Sequence, residues 1–524
     1  ATLLADCGAK GNAKALVLPS ALLLEDARRQ ARHCGRDSHL KLNILAFDEL
    51  VALLVRQLDL RIRLLDRMAQ ELLVGEILQE LEQEGQLRYF TQIAGFPGYI
   101  STVTQLLGEI KRSALPPNEL AAVVEALDAP HKDREIELIY HRYQQKLAEL
   151  KLADLEEMYF IALQGLNEGT IKMPYRTLLF SEFYDLTPLQ LAIIRACRAT
   201  TDIIIGLIYE KNRPELYQAV EATYTELVGM GFNPHFLSPA VPARPSLIHL
   251  RTQLFRLEVP LMPKGEGIVV NACGSRAQEV AVVAREVKKL LLNGFKPEEI
   301  LLVARNIDNY QDLAAKFDEL AIPLALPQVR YLSERPVARL VINCLRARQV
   351  GAKRSLLRNL IKSPYVRQLL PFDADFVDQV LVNNIGTDWS DWLVHMDRAQ
   401  ATYERERQQG RQVLGWLESR INSLPLVATC GQFTAAVSGL LAEFAVPRQL
   451  GEAYRAGDIT LAMLQEELVA YDRLLKLLAE MEESFALAGQ DRRVLNIADL
   501  TEHLLKAMGS ERLSHTVPPA NAVR

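Results

Sequence analysis

Between Ala52 and about Gly165 the chain offers no strand-like segment. Apolar residues recur there at helical spacing through Leu64–Leu81, Tyr99–Ile110, Leu120–Leu127, Ile136–Leu150 and Leu155–Leu163, with breakers at Gly95–Gly98, Pro116–Pro117 and Ala129–Pro130. On either side, short apolar runs alternate with helices. Ala15–Leu18 and Asn43–Ala46 precede the block, and Thr177–Phe180 and Asp202–Leu207 come after it. A helical block of that size inside an α/β pattern restricts the fold to a mostly parallel sheet that hosts an insertion.

The plan then repeats. After a proline-rich passage, Asn233–Pro245 and Pro260–Lys264, which reads as a linker, strand signals return at Ile268–Ala272, Ile300–Ala304 and Pro323–Leu326. They alternate with helices expected at Ala277–Leu292 and Tyr310–Leu320. Beyond Val337 the periodicity is helical again to about Ala488, with Trp389, Trp392 and Trp416 at positions that read as helix-packing residues. The expected fold is therefore α/β, with two strand-rich lobes built on parallel sheets, each carrying a large all-helical insertion. The boundaries are residues 1–51 and 166–262 for the first lobe and 52–165 for its insertion. The second lobe takes 263–349 and 489–524, with its insertion at 350–488.

At 524 residues the chain exceeds a single core. Its net charge of −5 argues against a dominating basic face but leaves room for a local basic groove, so an affinity for nucleic acid has to be argued from motifs. The six cysteines, at 7, 34, 197, 273, 344 and 430, form no CxxC or Cys/His ligand set and read as reduced thiols of a cytoplasmic protein. His33 beside Cys34 is the only close pair. No apolar run reaches membrane-spanning length, and the first residues lack the layout of a secretion signal.

The segment Arg176–Gln190, RTLLFSEFYDLTPLQ, carries the most chemistry. It resembles the second nucleotide-binding motif of superfamily 1 helicases, in which an apolar strand ends in Asp-Glu and a Gln stands nine residues after the Asp. The resemblance implies an Asp that holds the Mg²⁺ of ATP and a Glu that polarises the attacking water. Here Glu182 keeps the Glu place, Phe183 and Asp185 fit, and Gln190 stands nine residues on from Ser181. Ser181 occupies the Asp place. A neutral hydroxyl is a poor substitute for a carboxylate on a hard divalent cation.

The two-lobe plan is similar to that of the UvrD/RecB-type members of that superfamily, a resemblance that implies two RecA-like (P-loop NTPase-type) lobes. The segment Ser275–Asn306 resembles the lead into their fourth motif, with Glu279 early in a helix, Gly294 after it, and Arg305 at the place of the arginine that reaches the terminal phosphate. Further along the chain, Ile322–Pro323, Tyr331 and Glu334 stand at matching places. Pro19 and Ser20 end the first strand where the family touches single-stranded DNA. Phe47, in Ile44–Leu50, occupies the next DNA-facing element and is expected to offer a stacking surface, with Ala46 replacing the usual Thr.

The departures narrow the resemblance. No Gly-x-x-x-x-Gly-Lys-Ser/Thr occurs, and Gly8–Lys14 has the wrong spacing. By the family plan Ala1–Gly8 would be the helix after the phosphate loop, and Asn521–Arg524 would stand where the strand to the fifth motif begins. With Ser181, this most resembles the AddB-type subunit of AddAB helicase-nucleases, in its N-terminal portion. That resemblance implies a fold of reduced motor function, a heterodimer with an AddA-type motor subunit, and processing of double-strand DNA ends for recombinational repair. It also implies ATP and Mg²⁺ as cofactors of the full family, and a further nuclease domain with an iron–sulfur cluster that no cysteine here matches. The alternatives are an active helicase whose P-loop lies outside this chain and a non-enzymatic protein-binding scaffold. Glu109-Ile-Lys111 and Glu286-Val-Lys288 satisfy a nuclease triplet but lie in helical patterns. GxSxG and HExxH do not occur. Arg28, Arg29, Arg32 and Arg36, and Arg285 with Lys288 and Lys289, read mainly as solvated helix edges.

Overall fold

The computed structural model describes residues 14–20, 23–24, 27–28, 43–58, 62–127, 130–210, 213–237, 244–260, 267–310, 312–325, 330–399, 403–513 and 522–523. Cys7, His33, Cys34, Arg29, Arg32, Arg36 and the readings of Ala1–Gly8 and Asn521 lie outside the described residues. The chain divides into two compact units, one ending at Ile268 and one beginning at Val269. The division falls at the start of the segment expected to be the second unit's first strand.

The first unit is built on a four-stranded, wholly parallel sheet in the order β2-β1-β5-β6. These strands are β1 Lys14–Leu18, β2 Asn43–Ala46, β5 Thr177–Phe183 and β6 Asp202–Leu207. Alternation sorts their side chains. Ala15, Val17, Leu178 and Phe180 enter the larger core with helix α1 (Phe47–Val55), α6 (Leu155–Glu168) and α7 (Pro188–Cys197). Leu16, Leu18, Ile44 and Leu179 face a smaller core containing Leu24. Continuous apolar runs, where a half-exposed strand would alternate, are what a two-sided parallel sheet requires. Helices α8 (Pro214–Gly229) and α9 (Pro245–Gln253) come after β6, and Leu227 of α8 joins the larger core.

The helical block forms as expected, with α2 Arg67–Gln83, α3 Pro97–Arg112, α4 Pro117–Ala126 and α5 His131–Leu150. Two features refine it. Short strands β3 (Arg63–Leu64) and β4 (Leu152–Ala153), absent from the sequence pattern, pair in parallel where the chain leaves for the block and returns. Leu54, Val55, Tyr159 and Ala162 belong to the sheet's own core, so α6 serves the sheet although its periodicity is continuous with the block.

A buried ion cluster ties the block to α6. The Lys111 Nζ, 0% exposed, donates to Asp154 at 2.7 and 2.9 Å, to Glu157 at 2.8 Å and to Gln144 at 3.1 Å. Tyr143 donates to Asp154 at 3.0 Å, and burial among these carboxylates raises its phenol well above the ordinary value. The Glu109–Lys111 triplet is thus part of a helix, with its lysine consumed by this cluster. Lys288 likewise sits on a helix and donates to the Leu320 carbonyl at 2.8 Å.

The second unit departs from expectation. Helices α10 (Arg276–Leu292) and α11 (Leu313–Glu319) form, and Gly294, just past the end of α10, takes φ +91°, a conformation that favours glycine. Among the described residues, however, Ile268–Ala272 and Ile300–Ala304 pair with no strand, and Leu324 makes only a single parallel bridge to Val523. Val270 is 90% and Val303 80% exposed, while Ile300 is buried with Ala284 and Phe317 in the core formed by α10 and α11. An apolar run signals readiness for a sheet, but pairing needs partners supplied from elsewhere. The strands that do pair here are antiparallel: Arg330–Tyr331 with Arg512–Leu513, and Val427–Ala428 with Leu495–Asn496.

The helical region from Pro336 to Leu487 is present as expected. Trp392 is fully buried and donates from Nε1 to the Ala352 carbonyl at 2.6 Å, Trp389 is buried, and Trp416 meets the Phe444 ring edge-on at 5.2 Å. Arg335, buried, bonds Glu467 at 2.7 Å and Glu466 at 3.0 Å, joining the turn before Pro336 to the long helix Leu461–Leu487.

Removing the cation of the first unit's cluster leaves the buried Asp154 without a countercharge, with the Glu157 carboxylate beside it. Lys111→Met is expected to cost about 3–5 kcal/mol of stability, read as a lowered urea midpoint with an unchanged slope.

Candidate functional site

Because all four strands of the sheet run parallel, their carboxyl ends emerge at one edge, the usual place for ligands in open α/β sheets. The register pairs Val17 with Phe180 and Phe183 with Leu207, so the segments after β1, β5 and β6 leave the sheet side by side. Pro19 and Ser20 come after β1, Phe47 after β2, and Ser181–Phe183 close β5, with Tyr184 and Asp185 just beyond. Ser20 is exposed, and its Oγ accepts the Leu23 N–H at 3.4 Å.

The end of β5 is irregular where the motif lies. Pairing with β6 shifts register between Phe180 and Phe183, a bulge that sets Ser181 and Glu182 against the single residue Gly206. Glu182 takes φ +64°, the left-handed region that non-glycine residues adopt only at a cost. Phe183 thereby returns to the same core as Phe180, with the two rings 6.0 Å apart. Ser181 is half-buried, and Glu182, Tyr184 and Asp185 are exposed. Tyr184, at 59% exposure, is a surface aromatic of this edge to which the motif assigns no role.

Two expected site residues are occupied with structural work. Phe47 is 3% exposed, its ring stacked on Tyr159 at 5.7 Å and packed on Phe180 and Phe183 at 5.6 and 6.3 Å. With its faces covered by protein, it offers no base-stacking surface here. Gln190 closes a capping box on α7: its Oε1 accepts the Thr187 N–H at 3.0 Å, and its own N–H donates to the Thr187 Oγ1 at 3.3 Å. The spacing Thr187-Pro188-Leu189-Gln190 already contains that box. Beside it, Tyr159 donates to Asp48 at 2.5 Å, and burial together with that bond raises its phenol well above the ordinary value. The Asp48–Tyr159 bond spans 111 positions, so no local signal could announce it.

Arg305 stands in the second unit, exposed, after the unpaired segment 300–304. Nearby, the Tyr310 hydroxyl donates to Glu279 at 3.1 Å, joining the early acid of α10 to the turn beyond Arg305.

The donor set at the edge suits a magnesium ion poorly. Ser181 contributes a neutral hydroxyl, and no group of three His, Cys, Asp or Glu side chains among the described residues is placed to hold a metal. Of the described cysteines, Cys197, Cys344 and Cys430 are buried free thiols that burial pushes up to about 12, and Cys273 is half-buried. No helix among the described residues is long and apolar enough to cross a membrane.

Residues 8–233, which hold this sheet and its helical block, match the family model described as ADDB, N-terminal. The chain is a relative of the AddB-type subunits. It is 23% identical over 507 residues to the B subunit of the ATP-dependent helicase/deoxyribonuclease of Desulforamulus reducens, a match covering 87% of this chain and 42% of that protein. The proteins of the same name from Symbiobacterium thermophilum and Pelotomaculum thermopropionicum are 25% and 24% identical, over 53% and 71% of this chain and 26% and 34% of theirs. The chain thus spans less than half the length of the relatives it matches.

The left-handed Glu182 gives a direct test of the edge. Glu182→Gly is expected to keep or raise stability by about 0–1 kcal/mol, since glycine adopts this conformation without steric cost. Glu182→Val is expected to lose about 1 kcal/mol or more, because a branched side chain tolerates it least. Denaturant midpoints of the two variants measure the difference.

Proposed function

We propose that the chain is the helicase-like part of the B subunit of an ATP-dependent helicase/deoxyribonuclease, working on DNA ends in recombinational repair beside an AddA-type motor subunit. The observation that carries this is the match of residues 8–233 to the AddB N-terminal family, on a parallel sheet whose motif strand holds Ser181-Glu182 near its end. The relatives' shared name supplies the substrate class and the second subunit. The Ser at the Asp place and the bulge at Glu182 support a degenerate motor, in which the sheet serves as a frame for DNA and for the partner subunit. The second unit belongs to the same proposal, with Arg305, exposed beside the core of α10 and α11, as its nucleotide-facing arginine. ATP and Mg²⁺ are assigned to the motor subunit, because a carboxylate is lacking where this fold would hold the metal.

Steady-state ATP turnover by this chain is expected to equal that of a Glu182→Gln control. Turnover well above the control would sink the degenerate-motor reading in favour of an active helicase. DNA binding is expected to be weak, tolerant of sequence, stronger for single strands than for duplex, and steeply salt-dependent, since a net acidic chain relies on local cations. Fluorescence anisotropy with both kinds of oligonucleotide across a salt series checks this. Tight duplex binding that persists in high salt is the contrary result.

A further inference from the structure

The loop between α2 and α3 exposes aromatic rings from a rigid base. Leu87 and Ala94 are buried and anchor it. Between them, three consecutive backbone N–H groups, of Arg88, Tyr89 and Phe90, donate to the buried Glu135 carboxylate at 2.7, 2.7 and 3.1 Å. Thr91 Oγ1 donates to the Leu87 carbonyl at 2.6 Å, and successive turns bond Ile93 to Phe90 and Phe96 to Ile93, each at 3.0 Å. This clamp fixes the backbone without covering the side chains. Tyr89 is 62% and Phe96 60% exposed, and Ile93 is exposed between them. Tyr89 meets Phe90 edge-on at 4.8 Å, and Phe90 leans on Tyr99 at 5.0 Å, so the rings support one another.

The charges beside these rings are mostly of one sign. Arg88 is exposed within the loop. His131, Lys132 and Arg134 are exposed in the first turn of α5, the turn that leads directly into Glu135. Glu135 itself is enclosed by the three N–H groups. Three acids along and just past α2 are answered from α5, Glu84 by Arg142 at 2.7 Å and Glu76 and Glu80 by Lys146 at 2.6 and 2.7 Å, while Glu82 is a further exposed acid of α2. Asp133 is the one acid among residues 131–134. Exposed rings on a fixed backbone, bordered by cations and a helix N-terminus, suit a polyanion that carries unpaired bases, because every base has a face to stack and every linkage a charge to meet.

We propose that the loop Leu87–Phe96, with the first turn of α5, is a stacking platform for single-stranded DNA, Tyr89 and Phe96 taking bases and Arg88 and Lys132 meeting phosphates. The proposal rests on the DNA-binding reading above and locates that binding on the helical block, whereas the family resemblance points to Ser20 and Phe47 at the carboxyl edge of the sheet.

The test uses this chain and a fluorescein-labelled oligothymidylate in anisotropy titrations. Tyr89→Ala combined with Phe96→Ala is expected to weaken binding on the order of tenfold or more, with the salt slope unchanged. Arg88→Gln combined with Lys132→Gln is expected to weaken binding and shrink the slope by about 0.7 for each phosphate no longer neutralised. All four side chains are exposed, so denaturation midpoints should stay at the unaltered value and distinguish weakened binding from unfolding. Binding by the unaltered chain that neither pair changes overturns this proposal alone. Absence of any binding at low salt overturns both it and the DNA-binding reading. Unchanged DNA affinity together with loss of capture of a motor subunit would assign the rings to a protein interface instead.

Discussion

Everything at the candidate edge depends on β5 being held between two parallel neighbours. Its backbone is committed to β1 on one side and β6 on the other, and its side chains are committed to a core on each face. A strand so constrained has one place to change direction, and that is its end. The bulge at Ser181–Glu182 is where pairing with β6 changes register, and the burial of Phe183 fixes how the chain resumes. The conformation of Glu182 is thus imposed by packing on both sides of it. Whatever chemistry the edge retains or has lost is set by that local geometry as much as by residue identity.

The first unit was largely legible because its signals are local. Two-sided strands read as continuous apolar runs, helices as periodic ones, and the breakers fell where chain direction changes. What escaped was fixed by contacts far apart in sequence. Phe47 has the residue type of a stacking aromatic, yet its surroundings come from Tyr159, Phe180 and Phe183, and they bury it. Glu135 looks like an ordinary helix-surface acid until the backbone at 88–90 is folded against it. Gln190 fits two patterns at once, a motif position and a capping box, and its geometry satisfies the second.

The second unit shows the same rule from the opposite side. Its helices and its buried tryptophans were readable, because a helix satisfies its own backbone. Its expected strands were readable only as candidates, because a strand's backbone is satisfied by another segment. Ile300 finds the core through its side chain while its neighbours at 301 and 303 remain in solvent. The ion pairs of Arg335 with Glu466 and Glu467 were equally invisible, since they join residues far apart in the chain.

The small clasp of β3 and β4 has a wider meaning. It brings the departing and returning chain to adjacent strands, a separation of about 4.8 Å, before α6 re-enters the core of the sheet. Residues 65–151 therefore form a closed detour whose two ends meet. With Lys111 kept on Asp154 and Glu157, changes to the exposed face of that detour leave the spacing of its ends unchanged, so its surface can vary while the sheet stays as it is. In such a layout the exposed surface of the helical block can change without moving the strands of the sheet.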